Sequence, residues 1–217
     1  MVRIIVILGQ DCSPMDTWAS DFEAKMKLAV GDHDVSFHYP PLVVENGTRM
    51  WHPYTPEGED YDNTQRAVSY HKWIGSTAKD VWAELDEMDK KTDKFAVIAI
   101  SNGGAIGFEA ALYEQCVGVL FVSSVPVLSQ QRRYREVKCP TGFYHGIWDS
   151  YYFGGHAAVR SVAEAMDASW FEYDGGHSTF QEHAIADVLR ELMTSDRPCS
   201  RSPKRQRTQG PVRVVEC

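Results

Sequence analysis

The sequence predicts an α/β fold, a mostly parallel central sheet with helices on both faces. Strand-like and helix-like segments alternate along the chain, as parallel crossovers require. Several strand segments are apolar throughout, which marks strands covered on both faces. The 217 residues are 43% hydrophobic and 24% charged, enough for one domain to bury a full core. The expected organisation is a globular domain over 1–194 and a basic, disordered tail over 195–217.

Taken in order, Val2–Leu8 reads as the first buried strand. The start MVRIIVILG has no small-residue cleavage site after it and fits a core strand better than a signal peptide. Asp16–Val30 reads as a helix capped by Asp16 or Thr17, with Trp18, Phe22, Met26 and Ala29 inward. Asp34–Tyr39 is a second strand. Pro40–Asn63 is a long irregular segment rich in Pro, Gly and aromatics, and loops of that length usually serve function. Thr64–Met88 is a helix with Gly75 as its candidate break and Ile74, Ala78, Val81, Leu85 and Met88 inward. The strand Phe95–Ile100 runs almost directly into a helix over Ile106–Leu112. Val117–Ser123, Thr141–Gly146 and Ala168–Tyr173 are further strands, with a loop containing Pro126 after the first of them. Gly155–Met166 and Ser178–Met193 are the last helices. The final one turns Phe180, Ala184, Ile185, Val188, Leu189 and Leu192 to the core. No internal repeat is visible.

Composition excludes several functions. No apolar stretch approaches the roughly 18 residues of a membrane helix. The five cysteines have no tight pairing, which favours free thiols in a reducing, cytoplasmic setting, and the ending VVEC is no prenylation box. The chain carries −8 and its last 23 residues +4, leaving −12 on residues 1–194. A body this acidic argues against nucleic acid or an anionic membrane as partner. The eight histidines form no H-E-x-x-H or paired Cys/His pattern, so neither metal nor cofactor is expected. In the tail, SPKRQR with Ser202-Pro203 suggests either nuclear import beside a phosphosite or a plain solvated extension.

The chemistry concentrates at Ser101. A sharp strand-to-helix turn presents its apex side chain clear of the sheet and tolerates only small neighbours. Ala99-Ile100-Ser101-Asn102-Gly103, followed by Gly104 and Ala105, is a G-x-S-x-G elbow with alanine at the first position. A serine hydroxyl becomes a nucleophile only when a base removes its proton and a carboxylate orients that base. Asp149 lies 48 residues on, beyond the strand TGFYHG, and His177 a further 28 residues on, beyond SWFEY. Each alone reads as an ordinary turn residue. Together, three suitable residues at strand ends in the order Ser, Asp, His read as a triad. The oxyanion donors are then the backbone N–H of Asn102 and one from the loop LGQDCSP. Gln10 is the first choice there, with Asp11 and Cys12 as alternatives.

These segments resemble the phospholipase/carboxylesterase family, which includes the acyl-protein thioesterases, small members of the α/β-hydrolase fold. Its H-G-x-G-D loop and following tryptophan correspond to ILGQD and Trp18. Its P…P-V-T-x-N-x-G…M-x-x-W strap corresponds to PPLVVENGTRMW, with Pro41, Val44, Asn46, Gly47, Met50 and Trp51. Its G-F-S-Q-G-G-A elbow corresponds to AISNGGA, its H-G-x-x-D to His145–Asp149, and its terminal histidine motif to YDGGHS. The resemblance implies Ser101 as nucleophile, Asp149 as orienting acid and His177 as base, with Gln10 and Asn102 as oxyanion donors. It also implies hydrolysis of carboxylic esters or thioesters, with a small ester, an acyl-thioester or an acylated protein as substrate. Leu8 stands in place of the H-G histidine, and with the acidic, aromatic HPYTPEGEDYDNTQ after Trp51 substrate preference need not follow the family's. His145 reads as structural. Leu42, Val43, Met50, Trp51 and Tyr54 either line an acyl groove or simply pack the loop down. Two rivals stay open: a dienelactone-hydrolase-like enzyme for small polar esters, which lacks the strap, and a non-catalytic binding protein on the same fold.

Overall fold

The computed structural model describes residues 2–43, 47–51, 74–126, 128–151 and 155–194. Its elements in chain order are β1 (Arg3–Ile7), α1 (Thr17–Val30), β2 (Asp34–His38), β3 (Leu42–Val43), β4 (Thr48–Arg49), α2 (Lys79–Lys91), β5 (Phe95–Ile100), α3 (Gly104–Ala110), β6 (Cys116–Val122), β7 (Thr141–Gly146), α4 (Gly155–Ala165), β8 (Ser169–Tyr173) and α5 (Glu182–Thr194). Six strands form one parallel sheet in the order β2-β1-β5-β6-β7-β8. The chain steps from β1 to β2 on one side, then returns to β5 on the other. The carboxyl ends of β1 and β5 therefore flank the point where the strand order reverses, where open α/β sheets form their crevices.

The apolar strands divide their residues between two cores because successive side chains point to opposite faces. Ile5, Ile7, Val97, Ala99, Val119, Phe121 and Phe143 pack toward α2, α3 and α4. Ile4, Val6, Ala96, Ile98, Ile100, Leu120, Val122 and Phe171 pack toward α1 and α5. Burying each such Ile, Leu or Phe side chain contributes about 1.5–3 kcal/mol. The sheet is thus held from both sides, and the rigid strand ends serve as fixed mounts for the loops above them.

The structure corrects the sequence reading in places. The inward stripe of α1 is Ala19, Phe22, Met26 and Val30, whereas Trp18 is 43% exposed and stacks on Phe22 with ring centroids 5.2 Å apart. Both stripes have helical spacing. The small Ala19 packs flush, and the large indole covers Phe22 from the rim. The segment expected to be wholly irregular contains the antiparallel pair β3–β4, Leu42 opposite Arg49 and Val43 opposite Thr48. The loop around Pro126 leads into 3₁₀ turns over Leu128–Glu136. These are clamped to α3 by Gln130 and Arg133, which both donate to Glu109 at 2.9 Å. The helix after the elbow starts at Gly104 rather than Ile106, and the last helix starts at Glu182 rather than Ser178. Val44, Asn46, Tyr54, the first part of the Thr64–Met88 helix and the tail over 195–217 lie outside the described residues.

Candidate active site

Ser101 caps β5 with φ +50°, in the left-handed region that a residue with a side chain occupies only under constraint. The constraint is close packing. A Cβ on Gly103 would sit 2.7 Å from the Ile7 carbonyl oxygen, and one on Gly104 would sit 2.2 Å from that of Val125. Ser124 Oγ donates to the Ser101 carbonyl at 2.6 Å, fixing the turn from the end of β6. Ala99, the residue that breaks the glycine pattern, is accommodated from the helix side. A Cβ on Gly107 would meet the Ala99 methyl at 2.4 Å, so the missing side chain on α3 makes room for the extra one on β5.

The loops after β7 and β8 bring the acid and the imidazole to this serine. His177 Nδ1 lies 2.9 Å from Asp149 Oδ2, and His177 Nε2 lies 2.8 Å from Ser101 Oγ. With its proton on Nδ1, the ring donates to Asp149 and accepts from the serine hydroxyl. Residues 101, 149 and 177 thus form one hydrogen-bonded relay. The Asp149 side chain is fully buried, while that of His177 keeps 21% exposure toward solvent. Burial alone would raise the Asp149 pKa. The hydrogen bonds from His177 and from the Tyr151 N–H, at 3.0 Å, outweigh it and hold the carboxyl below its ordinary value. His145 Nε2 stands 3.5 Å from the same Oδ2, and burial pushes this imidazole down to about 4. Near neutrality the contact therefore joins a neutral ring to a carboxylate.

The two loops hold each other. Ile147 N–H donates to the Tyr173 carbonyl and Trp148 N–H to that of Gly175, both at 3.0 Å. Trp148 Nε1 donates to Asp174 Oδ1 at 2.7 Å. A Cβ on Gly146 would come within 2.3 Å of the Gly175 carbonyl oxygen, so glycine alone fits there. Tyr173 hydroxyl bonds Ser123 Oγ at 2.6 Å and donates to the Gly176 carbonyl at 2.8 Å, next to the histidine.

The loop after β1 crosses Ser101. A Cβ on Gly9 would lie 2.7 Å from Ser101 Cβ and 3.3 Å from its Oγ, which puts Gln10 beside the site. Asp11 ties this loop to the strap: its N–H donates to the Arg49 carbonyl at 2.8 Å, and its Oδ1 accepts from the Arg49 N–H at 3.0 Å. Cys12, half-buried, has its thiol pushed up to about 11 by burial. Trp51 N–H donates to Asn102 Oδ1 at 2.9 Å and its indole to the Leu8 carbonyl at 2.6 Å. Met50 and Trp51 are buried, whereas Leu42 is 52% exposed.

Sequence reasoning missed two participants. The Asn102 carboxamide, beyond its backbone amide, accepts from the Trp51 N–H and is one of the strap's ties to the elbow. Tyr151 stacks on His177 with centroids 4.4 Å apart and planes at 22°. An aromatic residue two positions after the acid was the available signal. Among the described residues no cluster of three or more His, Cys, Asp or Glu could hold a metal ion, and no helix is long and apolar enough to cross a membrane.

A parallel sheet with a serine elbow after one strand, and acid and histidine loops after two later ones, has the architecture of the α/β-hydrolase fold. Solved structures agree on that fold. Esterase PE8 superposes with a TM-score of 0.64 at 17% identity, over 88% of this chain and 92% of that one. The Bacillus cereus carboxylesterase gives 0.55 at 15% identity over 88% of each chain. Acyl-protein thioesterase 2 of Zea mays gives 0.54 at 13% identity, over 88% of this chain and 94% of that one. No family model matches the sequence, and neither does any curated protein.

Proposed function

We propose that the chain is a serine hydrolase that cleaves carboxylic esters or thioesters through an acyl-enzyme. The observation that carries this reading is the single imidazole hydrogen-bonded to Ser101 Oγ at 2.8 Å on one side and to a buried carboxylate at 2.9 Å on the other. His177 Nε2 takes the Ser101 proton as Oγ attacks the substrate carbonyl. Asp149, ionised and held by two hydrogen bonds, stabilises the imidazolium that forms. The proton then passes to the departing alkoxide or thiolate. Water, deprotonated by the same imidazole, attacks the ester on Ser101 and releases the acid. The backbone N–H groups of Asn102 and Gln10 are the proposed oxyanion donors. The 3₁₀ turn that starts at Ser101 and the close passage of Gly9 support that pairing.

The likeness to an esterase, a carboxylesterase and a thioesterase supports acyl chemistry of this kind. Within the strap, the burial of Met50 and Trp51 supports a packing role for them, and the exposure of Leu42 makes it the candidate to touch an acyl chain. The proposed substrates are small esters or acyl-thioesters, with acylated protein as a further class, in the cytoplasm. Tail-directed nuclear import is a separate proposal. Residues 195–217 fused to a reporter should concentrate it in the nucleus, and an even spread retires the idea.

A fluorophosphonate probe tests the enzyme assignment. It should label the parent protein and not Ser101→Ala; an unlabelled parent leaves a non-catalytic binding protein. Nitrophenyl esters of rising chain length, run beside a palmitoyl thioester, then define the acyl group.

A further inference from the structure

Tyr151 meets the relay at two points and the loop after β1 at a third. Its N–H donates to Asp149 Oδ1 at 3.0 Å, and its ring lies against His177 at 4.4 Å and 22°. Its hydroxyl donates to Gln10 Oε1 at 3.4 Å, across to the loop after β1. The side chain is 52% exposed, so core packing does not account for its orientation. Among the described residues it is tied in by its own backbone bond to the acid, by the stack, and by the reach to Gln10. We infer that Tyr151 is a positioning residue of the hydrolytic relay, whose aromatic face stabilises the imidazolium of His177 and keeps water off that face of the ring.

The physical basis is the quadrupole of the phenol ring, negative over its face. A neutral imidazole stacked there gains mainly dispersion. The imidazolium formed as Ser101 attacks gains a cation–π attraction as well. Stabilisation that appears with the charge lowers the barrier without tightening substrate binding, so it belongs to kcat rather than KM. The hydroxyl acts separately, because its bridge to Gln10 fixes the ring's plane between the acid loop and the proposed oxyanion loop. Residue 151 thereby couples the two halves of the site, one carried by β1 and the other by β7.

The inference rests on the serine-hydrolase reading, and one experiment separates their failures. Steady-state hydrolysis of nitrophenyl acetate is measured for the parent, Tyr151→Phe, Tyr151→Leu and Tyr151→Gln, with fluorophosphonate labelling rates alongside. Circular dichroism identifies the folded variants, and one folded ring-deleted variant suffices. Losing the ring should lower kcat by about twofold to thirtyfold, the range cation–π contacts span, with KM within about twofold. Tyr151→Phe, which keeps the ring, should recover most of the loss. An active parent with ring-deleted variants of equal kcat overturns the inference and leaves the enzyme reading intact. Equal losses in Phe and Leu also overturn it, by assigning the effect to the hydroxyl. Unfolding of both ring-deleted variants overturns it in favour of a structural role. A parent that neither hydrolyses nor labels removes both.

Discussion

Replacing Asn102 by Ala separates two roles held by one residue. The backbone N–H, the proposed oxyanion donor, survives the change, while the carboxamide that accepts from the Trp51 N–H at 2.9 Å is lost. Asn102 is 4% exposed and Trp51 is 2% exposed, so water cannot replace the missing acceptor without opening the strap. A buried donor stripped of its acceptor costs about 1–3 kcal/mol. For a protein of this size that corresponds to a fall of roughly 2–12 °C in Tm. Thr77 Oγ1, which donates to the Trp51 carbonyl at 2.6 Å, supplies the comparison. Thr77→Val should cost less, because a carbonyl oxygen tolerates a lost donor better than a buried N–H tolerates a lost acceptor. The double variant should fall short of the sum because both bonds hold the same residue. Scanning calorimetry gives the Tm values, and fluorophosphonate labelling reports whether Ser101 reacts. A Tm within about 1 °C of the parent, together with abolished labelling, would refute the division and make the carboxamide itself part of the chemistry.

Asp149→Asn should lower kcat by about 10⁴-fold with KM little changed, because Asn cannot stabilise the imidazolium; stopped-flow ester hydrolysis measures it, and a loss below about tenfold would detach residue 149 from the relay. Gly9→Ala places a Cβ 2.7 Å from that of Ser101, so Ser101 or the loop must move by about 1 Å. Initial rates should drop about a hundredfold while circular dichroism stays unchanged. Acid should destabilise the protein through His145, held at about 4 against the ordinary 6.5. Between those values the unfolded chain binds the extra proton, so stability falls as pH drops through this window, by an amount on the order of 3 kcal/mol. Urea titrations from pH 7 to 4.5 should show a shallower decline for His145→Gln, and parallel curves would contradict the assignment. Asp149, whose pKa is depressed, acts lower: its stabilisation is present above the unfolded carboxyl value and lost as pH falls through its folded one.

The relay was legible in the sequence because each member follows a strand recognisable by its own apolar run, and the order of the three is a linear property. The sheet was legible for the same reason. What escaped depended on geometry between distant segments. Periodicity cannot choose between Trp18 and Ala19 for the inward stripe of α1, since both lie at helical distance from Phe22; the choice is made by the volume left beside Phe22. Nothing local predicts that Asn102 reaches Trp51, 51 residues away, or that Tyr151 lies over His177, which is 26 positions downstream. The sequence shows Ala99 where the elbow pattern has glycine. The partner that makes it tolerable, Gly107, becomes apparent only once the helix is laid against the strand.

That partnership means the elbow has space for one methyl group and is indifferent to which chain segment provides it. Moving the methyl across, by Ala99→Gly with Gly107→Ala, exchanges the donor while conserving the interior volume, so the pair should be far milder than Gly107→Ala alone. At this elbow the packing constrains the combined size of positions 99 and 107 rather than demanding glycine at a fixed offset from the serine.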